Sequence, residues 1–140
     1  MLRDLVLGIM MNLAVMMVHV GATVLLMMMH DHYQPNPSKR LPHTTHVLIM
    51  MGSVTLLLVA HLVEVGLWAV VYRLLGLVSN GPDAYYSAFM TYTTLGLGHA
   101  VELEHARLVE PLTAASGIMM FGWTTAILIN VLQRGGKAPR

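Results

Sequence analysis

Three long stretches of this chain carry almost nothing polar. Leu5 to Met29 runs for 25 residues with His19 as its single ionisable side chain, and about 20 apolar residues are enough for a helix to cross the hydrocarbon of a bilayer. Val47 to Tyr72 is as apolar but holds His61 and Glu64 near its middle, and Leu112 to Leu132 gives 21 uncharged residues. Each is read as a transmembrane helix. The first run is longer than the apolar core of a signal peptide and has no small-residue cleavage site behind it, so it is expected to stay as an anchor. His30 to His46, with Pro35, Pro37, Pro42, Lys39 and Arg40, reads as a polar connector that proline keeps out of either helix.

Residues 77 to 111 fit none of these spans. Asn80-Gly81-Pro82-Asp83 is a turn with proline where a first helical turn tolerates it and an acid that favours the positive end of a helix. A short helix is predicted to start there. The apolar and aromatic run from Ala84 to Leu95 covers only about 18 Å against a hydrocarbon core of roughly 30 Å, so it must enter the membrane and return on the same side. The glycines of Thr94-Leu95-Gly96-Leu97-Gly98 suit backbone angles that other residues avoid. Non-helical backbone at membrane depth is tolerated only where protein buries it or water lines it, and carbonyls in such a strand can replace the hydration shell of a cation. One strand cannot surround an ion, so a ring of symmetry-related copies is required.

Composition narrows the class. The chain has 140 residues, 56% hydrophobic and 11% charged, with a mean hydropathy of +0.64. Soluble domains carry roughly 25% charged residues, so an ordinary soluble enzyme is excluded. A formal charge of +1 offers no field for nucleic acid, and the lack of cysteine excludes disulfides, thiolate nucleophiles and cysteine metal sites. Lys39 and Arg40 in the proline connector, with Arg134, Lys137 and Arg140 in the tail, put both on the cytoplasmic side and the N-terminus outside.

The string Tyr86-Ser87-Ala88-Phe89-Met90-Thr91-Tyr92-Thr93-Thr94-Leu95-Gly96-Leu97-Gly98, flanked by two membrane helices, resembles the pore-helix and selectivity-filter signature of the potassium channel superfamily over about residues 50 to 134. The resemblance implies a homotetramer. It also implies K⁺ held by the Thr94 hydroxyl and the backbone carbonyls of Thr94, Leu95, Gly96 and Leu97, with Gly117 near the hinge of an inner helix. Leu97 stands where the family usually has an aromatic residue, and His99 where it usually has an acid. Gly-Leu-Gly resembles filters of two-pore-domain channels, and Gly98-His99-Ala100 resembles their acid-sensitive members. A ring of His99 imidazoles at the outer mouth would repel entering cations when protonated. Glu102, Glu104 and Glu110 outside the filter would concentrate cations or form a solvated turret with Arg107.

His61 and Glu64 share a helix face, and an ionisable residue inside a span is a functional candidate. Three readings stand: filter support, with Thr93, through bonds to the back of the pore helix at Tyr86, Ser87 or Thr91; a metal-ligand pair; or a proton-linked gate. The thirteen methionines read as flexible apolar filler or as soft-metal handling, and His30, His32, His43 and His46 as interfacial residues or a loop zinc site. Trp123 and Asn130 lie on the inner helix, where the sequence orients neither. Repeated arginines, needed for voltage sensing, are missing from the first two spans, and gating through a large cytoplasmic domain is not expected.

The reading is an all-α membrane protein with three transmembrane helices, a re-entrant pore helix and a filter loop, forming a tetrameric channel. It divides into 1–46 (first helix and proline loop), 47–134 (pore module) and 135–140 (basic tail). The expected function is passive, potassium-preferring conduction with no enzymatic activity and no cofactor beyond K⁺ in the filter. Its partners are lipid, monovalent cations and three further copies, in a plasma membrane read as a bacterial inner membrane. A poorly selective cation channel, and a membrane metal or haem protein using His19, His61 and the methionines, are the alternatives.

Overall fold

A computed structural model describes residues 2–33, 42–96 and 107–136, with side chains to 133. Its four helices are α1 (Leu2–Tyr33), α2 (His43–Leu74), α3 (Gly81–Tyr92) and α4 (Val109–Gly136). Three of them, α1, α2 and α4, are long and apolar enough to cross a membrane. Both α1 and α2 have 32 residues, about 48 Å, and so outreach the hydrocarbon. The connector is accordingly shorter than its polar composition suggests. His30 and His32 lie on the last turns of α1, while His43 and His46 lie on the first turn of α2, behind Pro42 as its N-cap. Helix beyond the oil needs no apolar side chains, and proline is tolerated at a helix start.

The short helix begins as expected. Asn80 is its N-cap, accepting from the Asp83 N–H at 2.8 Å, and Pro82 stands in its first turn. Its buried residues, Ala84, Ser87, Ala88, Thr91 and Tyr92, form one face at helical spacing. Three of them are small, which lets backbones approach closely where no water-driven collapse holds helices together. That face packs against α2 and α4, and α1 lies against the same two helices.

Two apolar clusters hold the bundle. The first unites Val15, Val65, Trp68, Tyr72, Ala88 and Met120 with their neighbours; the second is Leu26, Leu57 and Val131 with flanking leucines and isoleucines. The seam that α1 turns inward reads Asp4, Gly8, Val15, His19, Thr23, Leu26, His30, so its polar residues face protein while most of its large apolar ones face outward. A side chain at Gly8 would strike Leu112, and Asn12 adds hydrogen bonds to the carbonyls of Gly8 (2.9 Å) and Leu112 (3.3 Å). The first helix is therefore docked along its length. His19 of α1, His61 and Glu64 of α2 and Thr124 of α4 occupy the level between the two clusters.

Candidate ion pathway and its buried support

The C-terminal end of α3 is closed by its own backbone. The Thr94 N–H bonds to the Thr91 carbonyl at 2.9 Å and the Leu95 N–H to the Met90 carbonyl at 2.9 Å, with Gly96 N–H joining Met90 at 3.2 Å. This pairing is a Schellman C-cap, in which the residue after the cap takes a left-handed conformation and is most often glycine. Here that residue is Thr94, at φ +67°, and Gly96 follows at φ +64°. A β-branched residue in that region is an outlier, and such strain persists only where the surroundings impose it, commonly at functional sites. Thr94, Leu95 and Gly96 are all exposed on the single chain. The Thr93 hydroxyl turns back to the carbonyls of Phe89 (2.9 Å) and Met90 (3.1 Å), anchoring the last turn. Leu97, Gly98, His99, Glu102 and Glu104 lie outside the described residues.

The conformation at Thr94 has a measurable consequence. Thr94→Gly is expected to raise stability by about 0.5–1 kcal/mol, because relief of the left-handed strain outweighs the extra freedom glycine gains on unfolding. The midpoint of thermal unfolding in detergent checks it, and a fall would show that the threonine side chain is held by packing.

Behind this end sits a closed ring of polar side chains. Glu64 accepts from His19 Nδ1 at 2.8 Å through one carboxylate oxygen and from the Tyr92 hydroxyl at 2.5 Å through the other. The same hydroxyl lies 3.0 Å from His61 Nδ1, and the Nε2 atoms of His61 and His19 lie 2.9 and 3.2 Å from the Thr124 hydroxyl. Glu64 and His19 are wholly buried and His61 nearly so. Phe121 packs beside His61 with ring centroids 4.8 Å apart, and Trp123 stands edge-on to His19 at 6.0 Å. A buried carboxylate without such partners would be prohibitively costly. With them it becomes a rigid tie from α1 and α2 to the last residue of α3.

The sequence placed His61 and Glu64 on one face, and they do share partners. The pore-helix residue they meet is Tyr92, however, and not Tyr86, Ser87 or Thr91. Tyr86 is exposed, and the Thr91 hydroxyl bonds to the Ser87 carbonyl at 3.0 Å. The tyrosine on the final turn reaches the α2 side chains at this level, while Tyr85 reaches the Leu62 carbonyl instead, at 3.0 Å. Tyr92 and Thr124 were not legible as members of the ring; His19, the single ionisable residue in its span, was the available signal for α1. Gly117 lies in unbroken α4 against the Tyr92 backbone, where a Cβ would overlap the Tyr92 carbonyl. Asn130 and Trp123 line a cavity of about 600 Å³ between α1 and α4.

Three helices long and apolar enough to cross a membrane, with a short helix packed on two of them and ending in exposed left-handed backbone, are the frame of a membrane protein. Residues 60–134, just over half of the chain, match the family described as Ion channel, and the chain belongs to that family. The match bears out the resemblance of this stretch to a potassium channel pore module and points to transport in place of catalysis. Comparison with curated proteins and with solved structures returns no match. All of α1, with His19, and α2 up to Val59 lie outside the matched region.

Proposed function

We propose that four copies of the chain surround a path for monovalent cations that prefers potassium. In this reading K⁺ sheds water onto the Thr94 hydroxyl and the carbonyls of Leu95, Gly96 and Leu97. The observation that carries it is the backbone after Tyr92, which turns left-handed at Thr94 and again at Gly96 while lying exposed on the chain. Changes of backbone hand bring successive peptide groups to one side of a strand, the geometry by which N–H groups form anion nests; the carbonyls then gather on the opposite side. Exposed backbone at membrane depth is tolerable only along an aqueous path, and one strand needs symmetry mates to enclose an ion. The N-terminus faces outside and the C-terminus the cytoplasm of a plasma membrane, and His99 at the outer mouth makes conduction sensitive to external protons.

Flux from liposomes under K⁺ and Na⁺ gradients tests this reading. The expected result is K⁺ efflux well above Na⁺ efflux, reduced by external acidification. Gly96→Val is expected to reduce K⁺ flux at least tenfold. Among the described residues nothing lies within 4 Å of a Cβ at Gly96, so the substitution strains the positive φ without disturbing the described bundle. Undiminished flux in this variant would overturn the filter assignment. Equal K⁺ and Na⁺ fluxes would favour the poorly selective alternative.

A further inference from the structure

The polar ring behind the filter is one positive charge short of completion. Its five contacts join Glu64, His19, Thr124, His61 and Tyr92. With an ionised carboxylate and neutral imidazoles, each of the four other side chains supplies one hydrogen, so four hydrogens serve five contacts. The ring then carries a net charge of −1 in a layer packed above and below by apolar side chains, where an uncompensated charge is expensive. A further proton or a metal cation would complete it.

We propose that this ring is a binding site for one divalent transition-metal ion, zinc by its donor set. The ligands are Nδ1 of His19, Nδ1 of His61, a carboxylate oxygen of Glu64 and the Tyr92 oxygen. His19, His61 and Glu64 each offer a ligand atom within 4.8 Å of the others. Zinc bonded at about 2.0–2.2 Å in a tetrahedron holds its ligand atoms roughly 3.4 Å apart. His61 Nδ1, the Tyr92 oxygen and Glu64 Oε2 lie 2.5 to 3.4 Å from one another, and His19 Nδ1 lies 2.8 Å from Glu64 Oε1, so the donors are already gathered near that spacing. Two imidazoles with oxygen donors and no thiolate suit zinc, cobalt or nickel better than monovalent copper.

The outer contacts agree with this assignment. Metal-bound histidines usually donate their second ring N–H to a fixed partner. With both Nδ1 atoms on the metal, both Nε2 atoms carry hydrogen, and both already face the Thr124 hydroxyl, whose oxygen has two lone pairs to accept them. If Tyr92 gives up its proton to solvent on binding, the dication is balanced by one carboxylate and one phenolate, and the layer becomes neutral. The ion would clamp α1, outside the family match, to the residue two positions before Thr94. The site stands independently of ion conduction.

The test is a titration of the purified full chain in detergent, stripped with a chelator, using Co²⁺ and then Zn²⁺. The expected result is one Co²⁺ per chain, with the intense visible absorption of tetrahedral cobalt, displaced stoichiometrically by Zn²⁺. His19→Ala and Glu64→Gln are expected to weaken binding at least a hundredfold, and His32→Ala, on an exposed residue, to leave it unchanged. Thr124→Val keeps every ligand and nearly the same volume, so it remains interpretable if the ligand variants misfold; it is expected to weaken binding 10- to 100-fold. Saturation far below one ion per chain would overturn the proposal and leave a proton as the missing charge. Cobalt binding that survives His19→Ala would overturn it as well. Because binding is read by absorption, a channel that fails to conduct would change neither result.

Discussion

Glu64→Ala is expected to be among the most damaging single substitutions in the described part of the chain, costing about 3–5 kcal/mol in chelator-treated protein. The carboxylate is the acceptor for both His19 and Tyr92, and it is wholly buried. Removing it strands two donors away from water, each at a cost of about 1–3 kcal/mol, and leaves a void between the two apolar clusters. Glu64→Gln keeps one carbonyl acceptor and the volume, and its cost is expected to be about 1–2 kcal/mol. Denaturant or thermal unfolding in detergent, followed through Trp68 and Trp123, measures both. If alanine proves no worse than glutamine, the ring is not holding α1 and α3 to α2.

The second large effect is expected at Gly117. In an open helical position, glycine to alanine gains up to about 1 kcal/mol of helix propensity. At Gly117 the added methyl meets the Tyr92 carbonyl carbon and oxygen, which are backbone and cannot swing aside. Overpacking of this kind costs about 1–3 kcal/mol and moves the elements apart. The moved element is the turn whose tyrosine hydroxyl sits 2.5 Å from Glu64 and whose next residues enter the proposed filter. Gly117→Ala is therefore expected to lower stability by about 1–3 kcal/mol and to cut K⁺ flux together with it. Gly21→Ala, on an exposed face of α1 with nothing nearby, should be neutral or slightly stabilising. A stabilising Gly117→Ala would show that α4 does not bear on the pore helix.

The spans and the short helix were readable because they rest on local signals. Uninterrupted apolar runs long enough for a bilayer predict α1, α2 and α4, and Asn80, Pro82 and Asp83 mark where α3 starts. Helix ends outside the oil were harder: nothing apolar is required there, so α1 continues through His32 and α2 begins at His43 despite their polarity. The partners of Glu64 were not readable either. Which residue of a 12-residue helix meets α2 depends on how α3 is rotated and how deep it sits, and small residues such as Ala84 and Ala88 set that through packing that no periodicity reveals. The same holds for Gly117. A glycine in an inner helix suggests flexibility, whereas its position against Tyr92 shows a demand for space.

The contribution of His19 has a consequence for dissecting this protein. The stretch matched to the family begins at Ala60 and has the outline of a unit that could be expressed by itself. Yet a truncated version starting at His43 would strip His19 from a buried carboxylate and uncover the faces of α2 and α4 that α1 packs against, leaving the ring tied only among α2, α3 and α4. What evolution or an engineer could cut out along the sequence is thus not what the bundle can spare, since α1 supplies a partner to a carboxylate that the matched stretch buries.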